Sequence, residues 1–272
     1  MYLILTCLYQ QKSIEDKQPL TPALLTLEVV FTEVLRRREL LEDKDEINVA
    51  NISEAERKYR SWLHERYEET WCLMLSAIDY EKSHESAQAL VSCMKLLAAE
   101  GKHPLRTTDA LRFPRHRLRS ILEKLTTGQR SQVVPIQSFK EYAEYLDVVQ
   151  NCWHLLPNLI KKTSFRNETI ALNYLELINA LPVTDGLQET NKLLCPLEEK
   201  APGSELFEYN HTRKAVNRLW NNLMSWLDTE ISESVHKQML IVLLERILPH
   251  LDKPILLTDF LMDSLDCGRC FS

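Results

Sequence analysis

The chain has 272 residues, of which 44% are hydrophobic and 26% are charged, and its formal net charge is −6. This composition excludes wholesale disorder, and the negative charge excludes a chain that is basic throughout, as many nucleic-acid-binding domains are. Any contact with nucleic acid therefore needs local basic patches. The seven cysteines are odd in number and scattered along the chain, which indicates a reducing compartment.

Apolar residues recur three or four apart through most of the sequence, which predicts amphipathic helices. The five glycines fall where these periodic segments end or where a connector runs, as is typical of glycine in helical proteins. No run keeps the two-residue alternation of a half-buried strand for long. In chain order, the predicted helices span residues 2–12, 22–42, 53–79, 84–100, 114–127, 137–150, 152–163, 167–181, 186–195, 210–228, 232–249 and 255–265.

Consecutive helices with short connectors favour antiparallel hairpins. Stacked hairpins with about 40 residues per unit form a HEAT- or armadillo-like array. We therefore predict an all-α helical-repeat solenoid of antiparallel helix hairpins, with a compact helical bundle as the alternative. Three regions are predicted: an N-terminal helical-repeat region at 1–181, an irregular proline-rich linker at 182–209, and a second helical region at 210–272.

No stretch of the sequence approaches the roughly 18 continuous apolar residues that a membrane span requires. The longest candidate, at 238–248, is interrupted by Glu245 and Arg246. We predict no membrane span.

The most informative segment is 57–67, where aromatic and basic residues interleave at helical spacing. Tyr59, Trp62 and Tyr67 fall on a broad apolar stripe, which predicts that they hold neighbouring helices together. The alternative is an ordinary amphipathic helix whose cations are merely solvated. The candidate contacts to RNA or to a partner in this segment are Arg57, Lys58, Arg60 and His64.

A second basic cluster, at 112–119, places four arginines and a histidine at the start of a predicted helix. Positive charge is disfavoured there by the helix dipole, so such a helix start suits a bound anion or an acidic partner. Solvated surface is again the alternative. The candidate contacts in this cluster are Arg115, Arg117 and Arg119.

Catalytic signatures are lacking: the sequence has no phosphate-binding glycine loop, GxSxG elbow, HExxH motif or dinucleotide fingerprint. Cys152 and His154 lie two apart on a predicted helix and do not face each other. Cys267 and Cys270 form a CxxC pair without the further ligands of a structural zinc site. We predict no catalytic residue, metal, cofactor or small-molecule substrate. A metal or thiol enzyme built on Cys267 and Cys270 is the rival hypothesis.

The segment 55–67, with its Lys-Tyr-x-x-Trp-x-x-x-Arg-Tyr run, closely resembles nucleolar complex protein 4 homologues. The similarity continues in the same order along the chain, and this order makes the resemblance more specific than any one segment. The further similar segments are 99–105, 113–114, 139–147, 216–220, 247–254 and 258–261.

This resemblance implies a nucleolar member of the CCAAT-binding-factor superfamily, built from helical repeats. It implies a non-enzymatic scaffold in small (40S) subunit biogenesis and 18S pre-rRNA processing, within the small-subunit processome of the nucleus and nucleolus. Nucleolar protein 14, other processome proteins and pre-rRNA are the implied partners. A generic α-solenoid adaptor for an acidic or amphipathic protein is the alternative function.

Family members continue beyond the point that matches Phe260, through the domain thought to hold nucleolar protein 14. The last residues, 267–272, depart from the family pattern. We therefore expect this chain to correspond to the N-terminal part of the family, with an incomplete C-terminal domain at 210–272.

Overall fold

The computed structural model describes residues 20–40, 53–105, 113–162, 167–184, 192–195, 207–225 and 232–252. Within these ranges it contains nine α-helices and no β-strand, so the all-α prediction is confirmed. The helices are α1 (Leu20–Arg36), α2 (Glu54–Ala77), α3 (Ser83–Lys102), α4 (Arg115–Thr127), α5 (Val133–Lys140), α6 (Leu146–Lys162), α7 (Glu168–Ala180), α8 (Tyr209–Met224) and α9 (Glu233–Val242).

The chain divides into two compact units. Unit 1 comprises Met1–Lys124 with Leu193–Gly203, and unit 2 comprises Leu125–Lys192 with Ser204–Ser272. This grouping follows proximity in space and does not test the predicted division at 182–209, which stays a prediction.

In unit 1, α1 and α3 run parallel. The backbone N–H of Leu20 donates to Glu85 at 3.2 Å, near the start of both helices. About two turns further along, Lys95 donates to Glu28 at 2.8 Å. Because both pairs advance in the same direction, the two helices end at the same end of the unit.

The helices α2 and α3 form an antiparallel hairpin, as the sequence predicts. Tyr67, in the middle of α2, donates to Glu100 near the end of α3 at 2.8 Å. At the connector, Ser86 donates to the carbonyl of Ile78 at 2.5 Å. Since Tyr67 pairs with Glu100 only two residues before α3 ends, the N-terminal turns of α2 extend past the end of its partner.

Helix ends follow local chemistry. The hydroxyl of Ser53 accepts the backbone N–H of Glu56 at 3.2 Å and caps α2, as Ser does at this position. At the end of α1, the N–H of Glu39 donates to Val34 and that of Arg38 to Leu35. This is the Schellman pattern, in which the C′ residue adopts a left-handed conformation. Arg38 occupies it, with φ at 57°.

The prediction of one continuous helix over 137–150 was wrong about where the helix begins and about its continuity. Instead, α5 begins at Val133, and a 3-10 turn at Glu141–Glu144 separates it from α6. Pro135 is part of this helix. It lies in the first turn of α5, where the N–H that proline lacks has no intrahelical acceptor in any case.

In unit 2, α6 packs against α8, and α7 packs against both α5 and α9. The buried Trp153 of α6 donates its indole N–H to the carbonyl of Pro182 at 2.9 Å. Pro157 lies inside α6, and Asn222 of α8 donates to its carbonyl at 2.9 Å. A side chain of α8 thus satisfies a backbone group at the proline of α6.

The connector between α4 and α5 is held by one buried side chain, Asn173 of α7. Its carbonyl oxygen accepts the backbone N–H of Gln132 at 2.8 Å, and its amide donates to the carbonyl of Arg130 at 2.9 Å. Since both backbone groups lie in an irregular segment, Asn173 replaces the partners that a helix would supply.

Several predictions concern residues outside the described ranges. The predicted helices at 2–12 and 255–265 fall wholly there. Of the helix predicted at 186–195, only residues 192–195 are described, and they are not helical. Lys192 instead forms an isolated parallel bridge with Tyr145. Among the helices described, none is both long and apolar enough to cross a bilayer.

The connector held by Asn173 gives a first prediction. Replacing Asn173 with Leu removes the hydrogen-bond partner of the buried N–H of Gln132 and that of the part-buried carbonyl of Arg130, so we expect the free energy of unfolding to fall by about 1–3 kcal/mol. Urea unfolding followed by circular dichroism measures the loss. Asn221→Leu, on the exposed side of α8, is the matched control, and an equal loss in both variants would contradict the assigned role.

Candidate interaction surface

Arg117 of α4 is buried and joins three helices of unit 1. Although Arg117 lies in the basic cluster at the start of the helix, only 3% of the residue is exposed. Its guanidinium donates to Glu100 of α3 at 2.9 Å and to Glu68 of α2 through two nitrogens, one of them at 2.9 Å. Glu68, Glu100 and Arg117 are called the ion triad below.

Two aromatic rings of α2 complete the surroundings of Arg117. The guanidinium carbon lies 5.1 Å from the ring centre of Tyr67 and 4.8 Å from that of Trp71, within the range of cation–π attraction. Burial alone would lower the pKa of Arg117, but the hydrogen bond with Glu68 and the charge of Glu100 outweigh burial and raise it. Arg117 is therefore a permanent buried cation.

This position corrects the prediction that Arg117 contacts RNA or a partner. Residues 117, 121 and 125 are four apart, and the latter two are the fully buried Ile121 and Leu125. Arg117 therefore lies on the inward face of α4. Helical phase was the signal in the sequence that separates it from Arg115 and Arg119, which are four apart on the exposed side.

The other predicted residues of α4 remain on the surface. Arg115 is exposed, and Arg119 donates to Glu123 at 2.9 Å. His116 lies beside the ion triad, with its Nε2 atom 3.5 Å from a carboxylate oxygen of Glu100. A positive surface on this helix is thus confined to its outward face.

The predicted cations of α2 stand on its N-terminal half. Arg57 is exposed, Lys58 pairs with Glu54 at 2.7 Å, and Arg60 donates to Glu56 at 2.9 Å. These pairs join residues four apart at the protein surface, where ion pairs contribute little to stability. They can exchange partners at small cost.

His64 lies one turn further along α2 and is half-buried. Burial raises the pKa of Glu68, the hydrogen bond and charge of Arg117 lower it, and His64 and His116 add to this lowering. His64 therefore sits at the edge of the ion triad, between the surface cations and the core.

The three aromatics of α2 separate into two groups. Tyr67 is fully buried, bonds to Glu100 and lies 5.3 Å from the ring of Phe31 on α1, which is the structural role predicted for it. Tyr59 and Trp62 differ from the prediction, because 49% and 39% of these residues are exposed. They lie near the N-terminal turns of α2, where the shorter partner helix no longer covers them.

Tyr59 and Trp62 form an ordered pair on the surface. Their ring centres are 6.2 Å apart and the rings are inclined by 29°. The Tyr59 hydroxyl donates to Glu39, just after α1, at 3.1 Å. Burial and the bond to Glu39 raise the pKa of Tyr59, whereas nearby Arg37 lowers it. The pair therefore lies close to the basic residues at the end of α1.

Five basic residues gather where the parallel helices α1 and α3 end. We call Arg36, Arg37, Arg38, Lys102 and His103 the basic end. Burial lowers the pKa of His103, and the charges of Arg38, Arg36 and Lys102 lower it further. The sequence alone does not reveal this group, because its two parts are about 65 residues apart and only the parallel packing brings them together.

Buried thiols contribute packing and no nucleophile. Cys93 and Cys152 are both fully buried, and burial raises their pKa far above the ordinary value. Over the described ranges, no group of three or more His, Cys, Asp or Glu side chains could hold a metal ion. Cys267 and Cys270 lie outside those ranges.

Comparison with known proteins gives a consistent result. A family model described as nucleolar complex protein 4-like, TPR repeats, matches residues 3–164. TPR repeats are arrays of antiparallel helix pairs, so the helical-repeat prediction is confirmed. The similar relatives include nucleolar complex protein 4 homolog B of Xenopus laevis, which is 29% identical over 271 residues, covering 92% of this chain and 49% of that protein.

More distant relatives carry the same name. The Danio rerio nucleolar complex protein 4 homolog is 25% identical over 254 residues, covering 89% of this chain and 48% of that protein. The Homo sapiens homolog is 22% identical over 268 residues, covering 95% of this chain and 51% of that protein. The chain therefore spans about half the length of the curated relatives it matches.

The ion triad gives a prediction on stability. Arg117→Met leaves the buried Glu100 without its countercharge, so we expect the free energy of unfolding to fall by about 3–5 kcal/mol. The midpoint of urea unfolding, followed by tryptophan fluorescence, measures this. Arg119→Met removes an exposed arginine from the same helix and should change the midpoint little. Similar losses in the two variants would refute the assignment.

The ion triad also predicts a pH dependence. Burial alone would raise the pKa of Glu68, but the hydrogen bond with Arg117 outweighs it and lowers the pKa below its ordinary value of 4.5. Ionised Glu68 therefore stabilises the folded state above about pH 4.5, and this contribution is lost as the pH falls through the lowered value. Urea unfolding at a series of pH values measures this: between about pH 6 and pH 3, Glu68→Gln should lose less stability than the unmodified chain does, and an equal loss in both would contradict the assigned role of Glu68.

Proposed function

Because the chain belongs to the nucleolar complex protein 4-like family of TPR-repeat proteins, we propose that it acts in ribosome biogenesis as a non-enzymatic scaffold of the nucleolus. More specifically, it serves assembly of the small (40S) subunit and processing of 18S pre-rRNA within the small-subunit processome. Nucleolar protein 14 and other processome proteins are its protein partners in this proposal.

The observation that carries the proposal is the arrangement of α2, α3 and α4 around Arg117. A buried cation with two carboxylates and two aromatic rings admits few alternative geometries, so the helices are held in fixed register. Surface cations of α2 and α4 are thereby presented in fixed positions. Such preorganised surfaces suit binding, because little ordering is left to occur when a partner arrives.

In this mechanism no covalent step occurs. The helical array brings pre-rRNA and assembly factors into register through contacts with phosphate or with acidic protein surface. The proposed contacts are Arg57, Lys58, Arg60, His64, Arg115 and Arg119. Arg117 acts indirectly, since it fixes the helices that carry them.

Affinity purification of the tagged chain from nucleolar extract tests the proposal. We expect precursors of 18S rRNA to be recovered in excess over large-subunit precursors, together with processome proteins. Reversing five surface cations should lower the recovery of pre-18S RNA about tenfold, because fewer phosphates are then neutralised by the protein. The reversed residues are Arg57, Lys58, Arg60, Arg115 and Arg119, each changed to Glu.

A control variant imposes the same change in net charge on unit 2. It reverses five surface cations there: Arg130, Lys140, Lys214, Arg218 and Lys237. Recovery of pre-18S RNA should stay near the unmodified level in this control. Recovery of acidic proteins without any ribosomal precursor would favour the adaptor function instead. Equal losses of pre-18S RNA in both variants would show that only net charge matters and would contradict the proposed contacts.

A further inference from the structure

We propose that the basic end and the pair Tyr59 and Trp62 together form a binding site for unpaired RNA, in which the rings stack on bases and the cations contact phosphates. The proposal deepens the proposed function, on which its biological setting rests. Its chemistry, however, is a property of the isolated chain and can be tested apart from any ribosomal particle.

The aromatic pair is the first observation. Large aromatic residues are usually buried, where their apolar area stabilises the fold. Here two adjacent ones are 49% and 39% exposed, and a hydrogen bond from Tyr59 to Glu39 fixes the orientation of the first ring. Rings that are held in place on a surface offer flat faces for stacking on nucleic-acid bases.

Convergent charge is the second observation. Arg36 and Arg37 are paired with Glu33 at 2.7 Å, whereas Arg38 and Lys102 form no ion pair with another described residue. Burial is the main cause that lowers the pKa of His103, and the charges of Arg38, Arg36 and Lys102 add to it, as expected of cations that lie close together. Helix C-termini attract cations in general, but two helices ending together concentrate them beside exposed rings.

The backbone of Arg38 is the third observation. Its φ of 57° lies in the left-handed region, which costs an arginine more than a glycine, and glycine is the usual residue at the C′ position of a Schellman motif. A side chain kept at an unfavourable backbone position indicates a role for that side chain. At this end of unit 1 the role that fits is contact with an anion.

Unpaired RNA fits these observations better than duplex RNA or an acidic protein. Bases in a duplex are stacked on one another and cannot stack on protein rings, whereas unpaired bases can. An acidic peptide would use the cations but would gain nothing from the aromatic faces. Rings and cations side by side are typical of single-strand binding.

Fluorescence anisotropy with the purified chain and a labelled oligouridine of about twelve nucleotides tests the aromatic pair. We expect Tyr59→Ala combined with Trp62→Ala to raise Kd about tenfold or more, and Tyr59→Phe combined with Trp62→Phe to retain most of the affinity. Tyr80→Ala is the matched control, because Tyr80 is 44% exposed and follows the C-terminal end of α2, away from the pair. Unchanged affinity in the double alanine variant would overturn the proposal.

Arg38→Gly tests the charge without harming the fold. Glycine relaxes the left-handed backbone, so stability against urea should be unchanged or higher, while RNA affinity falls. The slope of log Kobs against log salt should shrink by about 0.7 for each phosphate that the protein no longer neutralises, here and in Lys102→Gln. Lys140→Gln in unit 2 should leave the slope unchanged. If Arg38→Gly binds RNA as the unmodified chain does, the site is wrongly assigned.

Two further probes decide between ligands. The same oligouridine annealed to oligoadenosine should bind more weakly than the single strand, and an oligoglutamate peptide should not lose affinity when the rings are removed. Equal binding of duplex and single strand would overturn the proposal. Binding of the peptide without any binding of oligouridine would also overturn it. If the chain binds oligouridine but recovers no pre-18S RNA from extract, the proposed function is rejected and this site is retained. If the chain recovers pre-18S RNA but does not bind oligouridine, only the site is rejected.

Discussion

The structure of unit 1 depends on one buried cation. Arg117 brings a positive charge into the interior, and the desolvation of a charge is unfavourable unless partners surround it. Two carboxylates and two aromatic rings do so here, and they come from α2 and α3 while the arginine comes from α4. Apolar contacts tolerate sliding, whereas such a set of directed bonds is satisfied in one register. This register fixes the relative positions of the exposed surfaces of these helices.

The ion pairs on the surface, unlike the buried ion triad, do not fix the geometry of the helices. Lys58 and Arg60 pair with carboxylates one turn earlier on the same helix, in contact with water and salt, so these pairs stabilise the helix only weakly. A phosphate can therefore replace such a carboxylate partner with little loss of stability. The chain thus separates a buried charge network, which determines geometry, from surface charges that are able to exchange partners.

Most of the helices could be predicted because their determinants are local. Ser53 caps α2 at the start of the helix predicted at 53–79, and apolar spacing locates α3, α4 and α7 to within about two residues. The surface was harder to predict. Arg115, Arg117 and Arg119 are alike in the sequence, and helical phase alone separates the inward residue from the outward ones. Tyr59 shares the helical phase of buried residues, yet it is exposed because α3 ends before it covers Tyr59. Where a neighbouring helix ends cannot be read from the local sequence.

The parallel arrangement of α1 and α3 has a consequence for how this region can change in evolution. Arg38 and Lys102 both lie near His103 because α1 and α3 have the lengths that they have. Inserting one residue into either helix would advance its end by about 1.5 Å and turn it by about 100°, which separates the two cations and disrupts the packed face. Insertions and deletions in related sequences should therefore collect in the connectors, such as the one between α1 and α2, while the lengths of these two helices vary together or not at all.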